Sequence, residues 1–451
     1  VLDLMGERWA DDYGQDDYNL ENVNGYKDWQ LYRKRAEGHN VMVINPAGHT
    51  KDFEMQRGQK AEIVASDANE YGGYVYADMS DAYAEISKMT LGYYVDDNMN
   101  SVTMRNEFTL NEDNDIYWFI QTPAIAIASG KTVFLEKNGK SVKMEFLTSA
   151  DNAEWEVTEA KPLCTSPQVA EQNPNIGYSR VALKLKGKKG DNHLAVKISP
   201  TTMPTKLLED VPFSKWTLPA KTEFAEEADF DTGFEVYADG KPITGDTIVS
   251  LDGVKPQITA KANRSDAIVE ITESDDISTP TLVAVWNPSK QFCSLKLFDY
   301  KNVKTGVESV EGYVDLPIMS TEVSSTPEPS NHKENMTDYD YSTRWTCMAT
   351  GSTAIFDLGE SKTVDAVAVA FWKGAVRSYY YDIYSSTDGE NWTVAREGMS
   401  SSGTSEDLEL CKFATPVEAR YIKLVANGNS EASASGVNSN ILEFRALKAT
   451  K

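Results

Sequence analysis

The sequence predicts an all-β protein of several antiparallel units, and three observations carry that reading. Strand-length apolar runs, such as Val41-Met42-Val43-Ile44 and residues 142–146 and 179–185, recur between clusters of Gly, Asn and Asp. Turn dipeptides such as Asn138-Gly139 and Lys189-Gly190 punctuate them. Long helical periodicity is scarce. With 451 residues and units of roughly 100–200 residues each, one core is too few.

The first element is a large antiparallel β-sandwich over residues 1–217, in which strand runs continue to about Pro200. Its boundary is set where the pattern breaks into Pro- and acid-rich text, including Glu223, Glu226, Glu227 and Asp229, which reads as a connector. The second element spans residues 218–315. Short strand patterns at Phe234-Glu235-Val236-Tyr237, 257–260, 267–271 and 281–286, with the turn Asp239-Gly240-Lys241-Pro242, suit a small sandwich of the immunoglobulin or cadherin kind acting as a spacer. The breaker cluster Ser324-Ser325-Thr326-Pro327-Glu328-Pro329-Ser330 then introduces a third alternating β-pattern, assigned to residues 316–451.

Composition narrows the partners. A hydrophobic fraction of 41% supplies ordinary cores, which argues against wholesale disorder. Sixty-nine acidic against 44 basic residues give a net charge of −25, whose mean field repels nucleic acid and anionic membranes. No apolar run is long enough to span a membrane. Four cysteines, Cys164, Cys293, Cys347 and Cys411, are too scattered for a disulfide framework or a structural zinc site. Cys347 and Cys411 share a predicted domain, which leaves open a disulfide or two buried thiols.

The C-terminal third carries an ordered set of motifs: Asp338-Tyr339-Asp340-Tyr341-Ser342-Thr343-Arg344-Trp345, Phe356-Asp357-Leu358-Gly359, Ser386-Thr387-Asp388-Gly389-Glu390-Asn391-Trp392, Ala419-Arg420-Tyr421-Ile422-Lys423-Leu424 and Ile441-Leu442-Glu443-Phe444. These resemble the discoidin, or factor 5/8 type C, family, which overlaps carbohydrate-binding jelly rolls of bacterial glycan enzymes. The resemblance implies a galactose-binding-like jelly roll. The family's glycine after the first Asp is Tyr339 here. An Asp-rich loop beside a Glu of the final strand suits a hard cation, so calcium is expected at Asp338, Asp340, Thr343 and Glu443. Sugar recognition needs aromatic faces and planar donors, which points to Trp372, Arg377 and Tyr379 as carbohydrate-binding residues. Alternation turns only some of that stretch outward. Trp345, Trp392 and Arg420 read as structural parts of the motifs.

The N-terminal third contains Trp29-Gln30-Leu31-Tyr32-Arg33-Lys34-Arg35-Ala36-Glu37-Gly38-His39-Asn40-Val41-Met42-Val43-Ile44-Asn45, then Ala77-Asp78-Met79-Ser80-Asp81-Ala82-Tyr83 and Trp118-Phe119-Ile120-Gln121-Thr122. These resemble the C-terminal β-sandwich of heparinase II/III-like polysaccharide lyases. The resemblance implies β-elimination on a uronic-acid polysaccharide, with His39 as a catalytic residue that neutralises the carboxylate or holds a metal. That chemistry needs fixed donors beside the base, since the C5 proton is weakly acidic until the carboxylate is neutralised. Arg33, Lys34 and Arg35 would supply a basic lining against the mean negative field. Gln121 stands where the family has a second histidine, which weighs against zinc.

Together these features lead to the expectation of a C-terminal portion of a lyase, secreted, periplasmic or on a bacterial cell surface, and bound to an acidic polysaccharide or other glycan. Its catalytic α/α-toroid is expected on the same gene or another chain. The alternative is a non-catalytic extracellular glycan-binding or adhesion protein that reuses the sandwich. A glycosidase has little support, because no carboxylate pair sits in a context that separates its pKa values.

Overall fold

The computed structural model describes residues 1–16, 30–46, 60–83, 85–148, 153–169, 172–201, 210–223, 231–273, 276–288, 290, 292–324, 331–431 and 437–450. Trp29, the connector acids Glu226, Glu227 and Asp229, and residues 325–330 of the breaker cluster lie outside the described residues. The expected all-β class is observed: among the described residues helix is confined to single 3-10 turns such as Tyr32–Lys34 and Lys333–Met336. Among the described residues no helix is long and apolar enough to cross a membrane.

Contacts group the chain into two compact units, Val1–Tyr237 with Ile258–Glu273 and Thr281–Leu297, and Ala238–Gln257 with Ser274–Pro280 and Phe298–Lys451. The first unit is built on an eight-stranded antiparallel sheet. Its spatial order is Glu62–Asn69, Gly72–Asp78, Ile86–Asp96, Ser101–Leu110, Gly190–Pro200, Lys140–Phe146, Thr132–Lys137 and Ile125–Ser129. A four-stranded sheet, Glu154–Glu159, Ser179–Gly187, Asn114–Thr122 and Met42–Ile44, shares its core. Period-2 alternation sends Ile116, Trp118 and Ile120 inward to the cluster that holds Val142, Met144, Val196 and Ile198. The Asn138-Gly139 turn joins two strands as expected, with φ of 52° and 72°, the left-handed pair that a two-residue hairpin demands.

The expected spacer strands are present and pair among themselves in two small sheets, one of Lys241–Pro242, Phe234–Ala238 and Ile258–Ala262, the other of Thr247–Leu251, Cys293–Val303, Thr281–Trp286 and Ile268–Thr272. Ile268–Thr272 and Thr281–Trp286 belong to the first unit, where Leu282, Ala284 and Trp286 pack with Ile127 and Phe134. Thr247–Leu251 pairs in parallel with residues 299–303 in the second.

In the second unit a jelly roll is organised by two long strands, Ser352–Phe371 and Glu409–Asn429. They pair in three stretches, with register shifts after Asp357 and after Val364. The first break falls at Leu358-Gly359, where Gly359 has φ 81° and Asp357 accepts its N–H at 2.7 Å. Asp357 also takes both arms of Arg420 at 2.9 Å, so that arginine is structural, as its motif suggests. The last strand, Ser439–Ala449, lines Ser352–Phe371 and places Phe444 in a 3.8 Å stack on Phe356. Trp345 is fully buried in this core. All four cysteines are free thiols, Cys347 and Cys411 both buried.

Candidate functional site

The loop entering the strand Trp345–Cys347 is held by its own side chains. Asp338 accepts the N–H of Asp340 at 2.9 Å and the hydroxyl of Thr343 at 2.8 Å, and Asp340 accepts the N–H of Ser342 at 2.8 Å. Tyr339 fills the family's glycine position by adopting the left-handed conformation itself, with φ 66°. Its ring lies 3.7 Å from the Arg445 guanidinium, and its hydroxyl donates to Asp315 at 3.2 Å. These two contacts offset the cost of an L-residue in that region.

Glu443 comes down from the last strand beside Asp338. It is wholly buried, and burial pushes its carboxyl up to about 7; Arg445 opposes the rise and neighbouring Asp338 adds to it. One oxygen bonds Arg445 at 2.6 Å, while the other, Oε1, is buried with no hydrogen-bond partner. An orphaned carboxylate oxygen next to a second carboxylate fits a hard cation. Asp338 lies beside both Thr343 and Glu443, whereas the carboxylate of Asp340 accepts the Ser342 N–H of its own turn. Among the described residues no three His, Cys, Asp or Glu side chains form a metal-holding group.

The aromatic stretch divides by face. Tyr379 departs from the expectation of a sugar-facing ring: it is fully buried, stacked on Phe371 at 4.7 Å, and its hydroxyl donates to the Trp372 carbonyl at 2.7 Å. Alternation points it into the core and leaves Tyr380 exposed. Tyr379 instead positions Arg377, whose Nε donates to its hydroxyl at 2.8 Å while Nη1 pairs with Glu431 at 2.8 Å. Trp372 is half-buried and carries three cations close to its ring: Arg344 at 4.4 Å, Lys373 at 4.4 Å and Arg377 at 5.4 Å from the centroid. Of the three, Arg377 alone is ion-paired among the described residues, and Arg344 Nε is buried without a hydrogen bond.

Arg344 and Lys373 were not among the expected site residues. The signal for Arg344 lies in Thr343-Arg344-Trp345, because a core Trp345 turns its neighbour to the opposite face. Trp392 also departs from the expected core placement: it is half-buried, with Lys423 Nζ 4.0 Å over its ring.

In the first unit His39 is partly exposed and its Nδ1 lies 2.8 Å from Asp12 Oδ2. Nearby Gln121 is fully buried and organises the local structure, its side-chain oxygen accepting the hydroxyls of Tyr13 at 2.7 Å and Tyr32 at 3.1 Å. Arg35 is not available as a basic lining, because it is buried in an ion pair with Glu37 at 3.0 Å. Arg33 is spent on Asn175 and on the carbonyls of Tyr13 and Gln15.

Comparison with known proteins assigns part of the chain to a family. Residues 320–439 match the F5/8 type C domain family, so the chain contains an F5/8 type C domain. No curated protein matches the chain. Among solved structures, the chain is similar to the CBM32 of AlyQ in complex with 4,5-unsaturated mannuronic acid, with 31% identity and a TM-score of 0.28, covering 30% of this chain and 99% of that one. A truncated AlyQ with CBM32 and alginate lyase domains is 30% identical with a TM-score of 0.29, over 32% of this chain and 35% of that one. A pectin-binding carbohydrate-binding module is 27% identical with a TM-score of 0.27, over 30% and 92%.

Proposed function

We propose that the F5/8 type C domain holds an acidic glycan at Trp372, outside the cell, and that the chain serves a polysaccharide lyase of the heparinase II/III-like type. The convergence of Arg344, Lys373 and Arg377 on one indole carries the first part. On a chain of net charge −25, such a cluster is a local reversal of the mean field, suited to a sugar that presents a carboxylate to the guanidiniums and C–H groups to the ring. Calcium bound by Asp338, Thr343 and Glu443 would neutralise the buried carboxylates and stiffen the loop that presents Arg344. Affinity electrophoresis of the full chain in gels containing alginate, pectin or heparin tests the reading. Retardation by at least one acidic polymer, lost in Trp372→Ala, is expected; free migration in all three rejects it.

The lyase assignment rests on the two-sheet sandwich and on a solvent-facing His39 oriented by Asp12. Supplying an α/α-toroid to the chain should then produce the unsaturated-uronate absorbance from an acidic polysaccharide, and His39→Ala should reduce it more than tenfold. The non-catalytic reading is favoured by Gln121, which is locked by two tyrosines where the family has a histidine. It predicts glycan retention with no such absorbance.

A further inference from the structure

The eight-stranded sheet of the first unit has an outer face that departs from a plain solvated surface. Residues of one parity on three neighbouring strands, Tyr94 and Asp96, Thr103 and Arg105, Ala195 and Lys197, line the floor of a cleft of about 470 Å³. Their alternate neighbours, such as Val102, Met104 and Val196, belong to the core, so the cleft lies on the side away from it. One wall is the segment 211–217. It is pinned to the sheet by the Phe213 N–H to Glu107 at 3.1 Å, by the Tyr94 hydroxyl to the Thr217 carbonyl at 2.9 Å, and by Arg105, which pairs with both Glu107 and Asp210. Gly92 makes room for this wall, since a Cβ there would stand 2.3 Å from Phe213 and 3.0 Å from Trp216. Small floor residues, Thr103 and Ala195, then leave the space open.

Chemistry inside the cleft narrows the occupant. Its volume is in the range of small-ligand sites, roughly 300–1,000 Å³. Trp216 and Tyr94 offer aromatic surface, their rings 5.2 Å apart. The two floor cations are already matched: Lys197 with Asp97 at 2.8 Å and Asp96 at 3.5 Å, Arg105 with Glu107 and Asp210. A floor of compensated charges, hydroxyls and an aromatic wall offers donors and acceptors without net attraction for an anion. We propose that this cleft is a second glycan site, independent of the C-terminal one, that takes an uncharged pyranose unit against Trp216 and Tyr94 with its hydroxyls on Thr103, Asp96 and Lys197.

Ligand-observed saturation-transfer NMR on the full chain, with glucose, galactose, mannose and xylose as separate probes, tests this. At least one sugar should receive saturation, both in the wild-type chain and in Trp372→Ala, which removes the ring of the C-terminal site. Thr103→Phe should reduce the effect at least fivefold by filling the floor. Thr217→Trp, at an exposed lip position whose backbone carbonyl is retained, should do the same if Thr103→Phe fails to fold. Saturation of none of the four sugars, or an effect that survives both filling variants, would each overturn the proposal.

Discussion

Arg344 places its guanidinium 4.4 Å from the centre of the Trp372 ring, joining the end of the Asp-rich loop to the residue that follows the strand Ser352–Phe371. Arg344 has no ion pair among the described residues, so the contact leaves the guanidinium's charge unspent. Arg344→Ala should weaken binding of an acidic oligosaccharide by about tenfold, in line with ~1–2 kcal/mol for a partly desolvated cation over an indole and its loss as a carboxylate donor. Arg344→Lys should recover only part of that, because an ammonium lacks the planar fork. Isothermal titration with an alginate oligosaccharide at two salt concentrations checks both.

Calcium should raise the melting temperature of the full chain by several degrees, with EDTA reversing the shift. The buried, partnerless Glu443 Oε1 and adjacent Asp338 are the groups that gain a partner. Glu443→Gln and Asp338→Asn should abolish the calcium shift. Asp340→Asn should keep most of it, since an amide oxygen can still accept the Ser342 N–H.

Lys301 gives a pH dependence of known sign. It lies opposite Val249 in the parallel pair of the second unit, and burial pushes its ammonium down to about 8 from 10.5, with Glu334 opposing. The lowered value means that holding the charged form opposes folding in full below about pH 8, and that this opposition fades as pH rises towards 10.5. Lys301→Met should therefore stabilise the chain at pH 7 by ~1–2 kcal/mol, a gain that shrinks by pH 10. Thermal melts at the two pH values read the difference.

Gly92→Ala should loosen the segment 211–217, because the new methyl competes with Phe213 and Trp216 for the same space. A loss of ~1–3 kcal/mol is expected from such overpacking. Intrinsic fluorescence should shift towards solvent exposure of Trp216, while binding of acidic oligosaccharide through Trp372 stays unchanged.

Turn-scale features were legible in the sequence because their partners are close in the chain. Asn138-Gly139 forms its hairpin, and Asp388 gathers the N–H groups of Glu390 and Asn391 within its own motif. The bidentate Asp357–Arg420 pair was also accessible, because both residues sit in motifs of one family. Tyr379 was misplaced because a run of aromatic residues does not say which parity faces the core, and only its stack on Phe371 settles that. Arg35 was misjudged for a related reason: a basic triplet reads as exposed charge until Glu37 is found buried against it.

What the sequence alone determined is the alternating β-character of the chain and the ordered motifs of its last third, both properties of residues near one another along the strand or turn. The tertiary structure decided what converges: Arg344 with Trp372, Glu443 with Asp338, and the segment 211–217 over Gly92. The physical reason is that period-2 alternation selects a face but not a neighbour. Which side chains meet across a sheet or between loops depends on strand order, register and close packing, and these are set only when the whole core assembles.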